Sequence, residues 1–247
     1  GFAEIDLTPD GPVRLAGQFA ERISESVESP VTATAMAIEA GGEQAVLCSC
    51  DLVAISTDLL KAVRARLDDA PGLDPAKVII CATHTHTSFV YQEPGLSRSL
   101  AVLQRYLPPG KRYVANARPD PSVWTPQTAF EWLAGRIAAA VRNAWRDRRP
   151  SRVVGGFGRA AVGMNRRVVY NDGHAAMWGD TNTPTFERLE GGNDSGIELM
   201  YVFDAADRLS AVVANVACPA QCVQHRNFIS SDYWGVVRQQ LRAQLGD

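Results

Sequence analysis

The sequence predicts an α/β protein, with mixed β-sheets packed between helices and one large domain spanning 1–247. Three observations carry this prediction. Two strand-like runs, 32–38 and 44–52, flank Gly41-Gly42 and read as a hairpin. A stripe of Leu59, Leu60, Val63 and Leu67 at helical spacing is followed by the apolar run Val78-Ile79-Ile80-Cys81-Ala82, which gives the strand–helix–strand order of a crossover unit. Further on, Phe130, Leu133, Ile137, Val141 and Trp145 mark a second helix with one buried face.

Taken in order, residues 1–30 mix Pro, Gly and acidic side chains and are expected to wrap the surface, with Leu15-Ala16-Gly17 as a tight packing point. The helix of the crossover unit starts at Ser56, whose hydroxyl suits an N-cap, with Asp58 in the first turn where the helix dipole favours an acid. Pro71-Gly72 ends the helical segment, and 78–82 is expected to be a fully buried strand. Prolines and glycines interrupt 89–124, a long excursion of the kind that often walls a site. Thr125-Pro126 is an N-cap followed by proline at the first helical position. Strand material follows over 153–167, a turn at Asn171-Asp172-Gly173 and an open polar loop over 174–195. A hairpin is expected from 197–203 and 209–216, and a last helix, capped at Ser231-Asp232, carries Trp234, Val237 and Leu241.

Composition narrows the function classes. A hydrophobic content of 46% and a charged content of 21% are those of an ordinary globular chain able to bury a large core. A net charge of −2 gives no footprint for nucleic acid or an anionic membrane. No apolar run approaches the ~20 residues of a membrane-spanning helix. The first residues carry no signal-peptide pattern, and the compartment stays open. The five cysteines cannot all pair within the chain, and none of their spacings is CxxC, which argues against a cysteine-rich structural zinc site.

The residues with chemistry gather at two strand ends. At the first, Thr83-His84-Thr85-His86 places two of the four histidines two residues apart, so that in an extended chain both rings face one side. The carboxyl end of a strand is where α/β sheets bind ligands, and imidazole serves both as a metal ligand and as an acid–base group. At the second, Cys218, Gln221, Cys222 and His225 follow a strand. A thiolate with two imidazoles suits zinc, which takes three protein donors in catalytic sites, while composition alone favours the structural reading, a buried cysteine before a proline turn. Asn165-Arg166-Arg167 offers an anion anchor or a carbonyl-polarising fork. Asp51 and Asp232 are placed either to orient a histidine or to serve structure, and His174 reads as exposed.

Together these pieces resemble the N-terminal catalytic region of the neutral/alkaline, non-lysosomal ceramidase family. The resemblance runs through Asp6-Leu7-Thr8-Pro9, Leu15-Ala16-Gly17, Ser49-Cys50-Asp51-Leu52 and Ala82-Thr83-His84-Thr85-His86. It continues through Gly163-Met164-Asn165-Arg166-Arg167, Asn215-Val216-Ala217-Cys218-Pro219 and Ser231-Asp232. It implies a zinc-dependent amidohydrolase that cleaves the N-acyl bond of ceramide-like lipids through a metal-activated water. By the same resemblance His84 is a zinc ligand, His86 the neighbouring catalytic histidine and Arg166 a catalytic arginine lining the site. Three departures accompany it. Cys218 stands where the family has a second histidine ligand. Thr87-Ser88-Phe89 replaces a small residue, glycine and proline. The family's glutamate and tyrosine ligands and its serine lie downstream of the matched region, so 1–247 is expected to be a fragment or a diverged member. The alternatives are a non-catalytic domain with a small-molecule or partner-binding crevice, and a zinc hydrolase acting on another amide or ester.

Overall fold

The computed structural model describes residues 1–92, 109–110 and 120–246. It is α/β, and its chain packs as two compact units, one made of 1–148 with 220–247 and the other of 149–219.

The first unit is built on a four-stranded mixed sheet in the order β1-β3-β4-β5, with β1 Phe2–Asp6, β3 Thr32–Ala40, β4 Glu43–Cys50 and β5 Val78–Ala82. Strands β3 and β4 form the expected hairpin around Gly41-Gly42, both with positive φ. Helix α1, Thr57–Arg64, then crosses to β5, which runs parallel to β4 with Val46 opposite Val78 and Cys50 opposite Ala82. The Ser56 hydroxyl caps α1 by accepting from Leu59 N–H. Helix α2, Pro126–Arg146, is capped by Thr125 and packs on β1, β3 and α1. Its alanine-rich face, with Leu133, Ile137, Val141 and Trp145, closes the core over Ala33, Ala35, Val46 and Cys48. Burying such an aliphatic side chain is worth about 1.5–3 kcal/mol, so this face adds substantially to the unit's cohesion.

Two expectations change. The opening residues do more than wrap the surface: β1 pairs with β3, and Leu7, Val13 and Leu15 are core residues. Strand β5 is not fully buried. Among the described residues it is the last strand of its sheet, and a strand covered on one face alternates in exposure, so Val78 is buried while Ile79 is 55% exposed. A short parallel pair, β2 Ser26–Val27 with β12 Phe228–Ile229, ties the N-terminal segment to the chain that leads into α3, Tyr233–Leu245. No residue of α3 is fully buried, and Leu241 is exposed.

The second unit is all β. Strands β6 Arg152–Arg159, β10 Gly196–Phe203 and β11 Leu209–Val216 form an antiparallel sheet in the order β11-β10-β6. Here β10 and β11 are the expected hairpin. The stretch 174–195 is more ordered than an open loop: β8 Ala175–Met177 and β9 Phe186–Leu189 pair on either side of β7 Arg167–Tyr170. The Asn171-Asp172-Gly173 turn joins β7 to β8. The predicted excursion over 89–124 falls largely outside the described residues.

Candidate active site: a histidine pair at the end of β5

Strand β5 ends at Ala82, and the chain leaves the sheet through Thr83 and His84. Their N–H groups donate to Cys50 O and Leu52 O at 3.0 and 2.9 Å. His84 has φ of 65°, a left-handed conformation uncommon for a side-chain-bearing residue. The rings therefore do not meet through plain strand alternation. The turn at His84 brings them together, with Nε2 of His84 and Nε2 of His86 3.2 Å apart.

Buried polar contacts hold this turn. The Thr85 and Thr87 hydroxyls each donate to Ser230 O at 2.9 Å, and Ser230 N–H donates to Thr87 O. On the other side, Ala16 N–H donates to Ser88 O, and Leu15 bridges Phe89. Arg22 Nη2 donates to Ala16 O and His86 O, both at 2.7 Å. Burial pushes the Arg22 guanidinium below its usual range, yet it remains a cation at neutral pH. Gly17 lies directly on the His86 ring, and a Cβ at that position would stand 2.3 Å from His86 Cγ. The expected packing point at 15–17 is thus a seat for the histidine.

Around the pair are amides. His84 Nδ1 lies 2.6 Å from Val53 O, so that nitrogen carries the proton and Nε2 of a neutral ring presents its lone pair. Gln221 reaches His86 Nε2 at 2.7 Å, and Gln18 stands 3.5 Å from His86 Nδ1. Gln221 lay in the polar cluster after β11. Gln18 carried no sequence signal, because a single glutamine makes no pattern and its partner is 68 positions away.

The aspartates take structural roles. Asp51 is buried, accepts from Thr32 N–H, Thr32 Oγ1 and Thr83 Oγ1, and pairs with Arg238 at 2.5 Å. It fixes the end of β4 against α3 and orients no ring. Asp232 accepts from Cys222, Val223 and Tyr233 N–H groups, so it caps α3 and also holds the loop that carries Gln221. Cys48 and Cys50 are buried free thiols with sulfurs 3.9 Å apart. The hydrogen bond to Cys48, burial and the neighbouring acids push the Cys50 thiol well above its ordinary value, which makes it a poor nucleophile. Cys81 is exposed instead of packed. His225 is exposed in the turn after Gln221, and His174 is exposed against Asp172 and Tyr170.

Arg166 and Cys218 lie in the second unit. The Arg166 guanidinium stacks on Trp178, 4.6 Å from the ring centroid, and Arg166 O accepts from Trp178 N–H. Trp178 is itself 67% exposed. Cys218 follows β11, half-buried beside Gly163, with its thiol directed at Pro219 O.

Two imidazole nitrogens each about 2.0–2.1 Å from one tetrahedral zinc would stand about 3.3–3.4 Å apart, and the His84–His86 separation of 3.2 Å is close to that bite. A catalytic zinc takes a third protein donor. Among the described residues no group of three His, Cys, Asp or Glu side chains could hold a metal. The described residues by themselves do not complete a zinc site.

No protein-family model and no curated protein matches the chain. Its fold is similar to the crystal structure of neutral ceramidase from Pseudomonas aeruginosa, with a TM-score of 0.69 at 18% identity over 99% of this chain. A ceramidase complexed with C2 gives a TM-score of 0.67 at 19% identity over 99% of this chain. The chain spans 36% and 35% of those two chains. Within those bounds, residues 1–247 have a ceramidase-like fold.

Proposed function

We propose that this chain carries the histidine pair of a ceramidase-like hydrolase that cleaves the N-acyl amide of a ceramide-like lipid. The observation that supports this reading is the His84–His86 pair, rings edge to face with both Nε2 atoms converging at the end of β5. Amide hydrolysis forms a bond from water oxygen to the carbonyl carbon, breaks the C–N bond and moves a proton to the leaving nitrogen. His84, tied through Nδ1 to Val53 O, presents its Nε2 lone pair. His86, seated on Gly17, delivers the proton. Arg166 is the proposed donor to the carbonyl oxygen. Zinc belongs to this proposal, with His84 and Cys218 as the donors the resemblance assigns, and when bound it would supply an acidified water.

The test uses the protein with whatever chain natively precedes and follows residues 1–247. It should hydrolyse a fluorescent N-acylsphingosine, and His84→Ala and His86→Ala should each lower kcat by about 10²–10⁴-fold, the range for a lost acid–base group. Zinc content of His84→Ala and Cys218→Ser, measured after dialysis, should fall below that of the parent. Full turnover by His86→Ala would overturn the reading. The lack of a third donor among the described residues favours one second reading, a non-catalytic ceramidase-like domain. Saturable binding of the N-acyl lipid without turnover would select it.

A further inference from the structure

We infer that Asp51 and Arg238 are positioning residues for His84: the carboxylate, held by the guanidinium, fixes the segment 50–53 on which the left-handed turn at His84 is built. The inference rests on the proposed role of His84 and assigns what keeps that ring in place.

Four consecutive residues each offer one acceptor to the turn. Cys50 O takes Thr83 N–H at 3.0 Å, and Leu52 O takes His84 N–H at 2.9 Å. Between them Asp51 Oδ1 takes the Thr83 hydroxyl at 3.2 Å, and after them Val53 O stands 2.6 Å from His84 Nδ1. Backbone, hydroxyl and ring of 83–84 are thus all referred to 50–53. A left-handed residue with a side chain persists only where its surroundings over-determine it, and His84 has φ of 65°. If the turn relaxed towards extended backbone, the two Nε2 atoms would leave their 3.2 Å separation.

The segment needs an anchor of its own, because β4 ends at Cys50 and α1 begins only at Thr57. Asp51 supplies it. Its N–H donates to Thr32 O at 2.9 Å, and Oδ2 accepts from Thr32 N–H and Thr32 Oγ1 at 2.9 and 3.2 Å. Arg238 sets its fork across both oxygens, with Nη2 2.5 Å from Oδ2 and Nη1 3.3 Å from Oδ1. A planar guanidinium on two oxygens fixes the plane of the carboxylate as well as its place, which a single ammonium charge would not do. A tie between β4 and α3 alone would be complete with Thr32 and Arg238. The contact from Oδ1 to Thr83, one residue before His84, extends that tie into the site. Arg242, further along α3, pairs instead with Glu4 of β1 at 2.8 Å and serves as the control.

The experiment is NMR of the protein with its native flanking chain, labelled at the histidine rings, which reads the surroundings of His84 without substrate. Thr83→Val keeps volume and β-branching but loses the hydroxyl, whereas Thr83→Ser keeps the hydroxyl and loses the methyl. Thr83→Val should shift the His84 ring resonances, and Thr83→Ser should leave them close to those of the parent. A role in packing alone predicts the reverse. Arg238→Met should also shift them, and Arg242→Met should not. In the turnover assay Thr83→Val and Arg238→Met should each lower kcat by about 10–100-fold with KM little changed, the scale of losing a group that orients an active-site histidine. Thr83→Ser should recover most of that loss. Unmoved His84 resonances in Thr83→Val, or equal shifts from Thr83→Val and Thr83→Ser, would overturn the inference, and so would equal effects of Arg238→Met and Arg242→Met. If the resonances move as stated but no N-acyl lipid is turned over, the proposed reaction fails while this assignment stands.

Discussion

A single methyl group at position 17 is enough to test how the site is seated. Gly17 combines φ of +87° with a Cβ direction that ends 2.3 Å from the His86 ring. Alanine there meets two costs, about 1–2 kcal/mol for a left-handed backbone and a displaced imidazole. Gly72 supplies the control, because it has φ of +78° with nothing within 4 Å of its Cβ direction. Gly72→Ala should show the backbone cost alone in urea unfolding. Gly17→Ala should lose more and should also shift the His86 resonances, and equal losses with an unmoved ring would refute the seating. At this scale the sequence spoke unevenly. The histidines were legible from their spacing, since Thr-His-Thr-His after an apolar run has a chemical meaning. The left-handed turn at His84 was not, because it depends on Cys50 O and Leu52 O across the sheet.

Among the elements, those with local codes were the legible ones. Helices α1 and α2 begin at the caps that Ser56 and Thr125 announce, and the β3–β4 hairpin turns at its two glycines. The error in β5 has a physical source. An apolar run of five residues fits either a covered strand or an edge strand, and only the neighbours decide. Strands β8 and β9 went unread because they are only 3 and 4 residues long, too short for an alternating pattern to show. The join between β4 and α3 can be tested at Asp51, whose side chain is 1% exposed against 22% for Arg238. Asp51→Ala leaves a partly buried guanidinium and the Thr32 and Thr83 donors without their carboxylate, and should cost about 3–5 kcal/mol. Arg238→Met should cost less, since Asp51 keeps its bonds from Thr32 and Thr83. Equal losses in denaturant unfolding would show the ion pair, not the carboxylate's bonds, to be the main support.

For the whole molecule, the fold class followed from the order of strands and helices, whereas completeness of the site is a matter of which donors reach the histidines. Residues 1–247 match the neutral ceramidase fold along 99% of their own length but span 36% of that chain. The described residues bring two imidazoles and two carboxamides to the end of β5. Neutral carboxamides are weak partners for zinc beside imidazole and thiolate, which are the donors that hold it in proteins. An ion held by two strong donors is easily lost, and without it a water near neutral pH has little tendency to attack an amide. The isolated 1–247 protein is therefore expected to retain zinc at well under one equivalent after dialysis, and to turn over a fluorescent N-acylsphingosine far more slowly than a full-length neutral ceramidase assayed beside it. Added zinc should raise that rate only slightly, because the described residues offer no third donor beside the two imidazoles. A stoichiometric zinc content together with a comparable rate would mean that the residues outside the description complete the site from within this chain, and the expectation would fall.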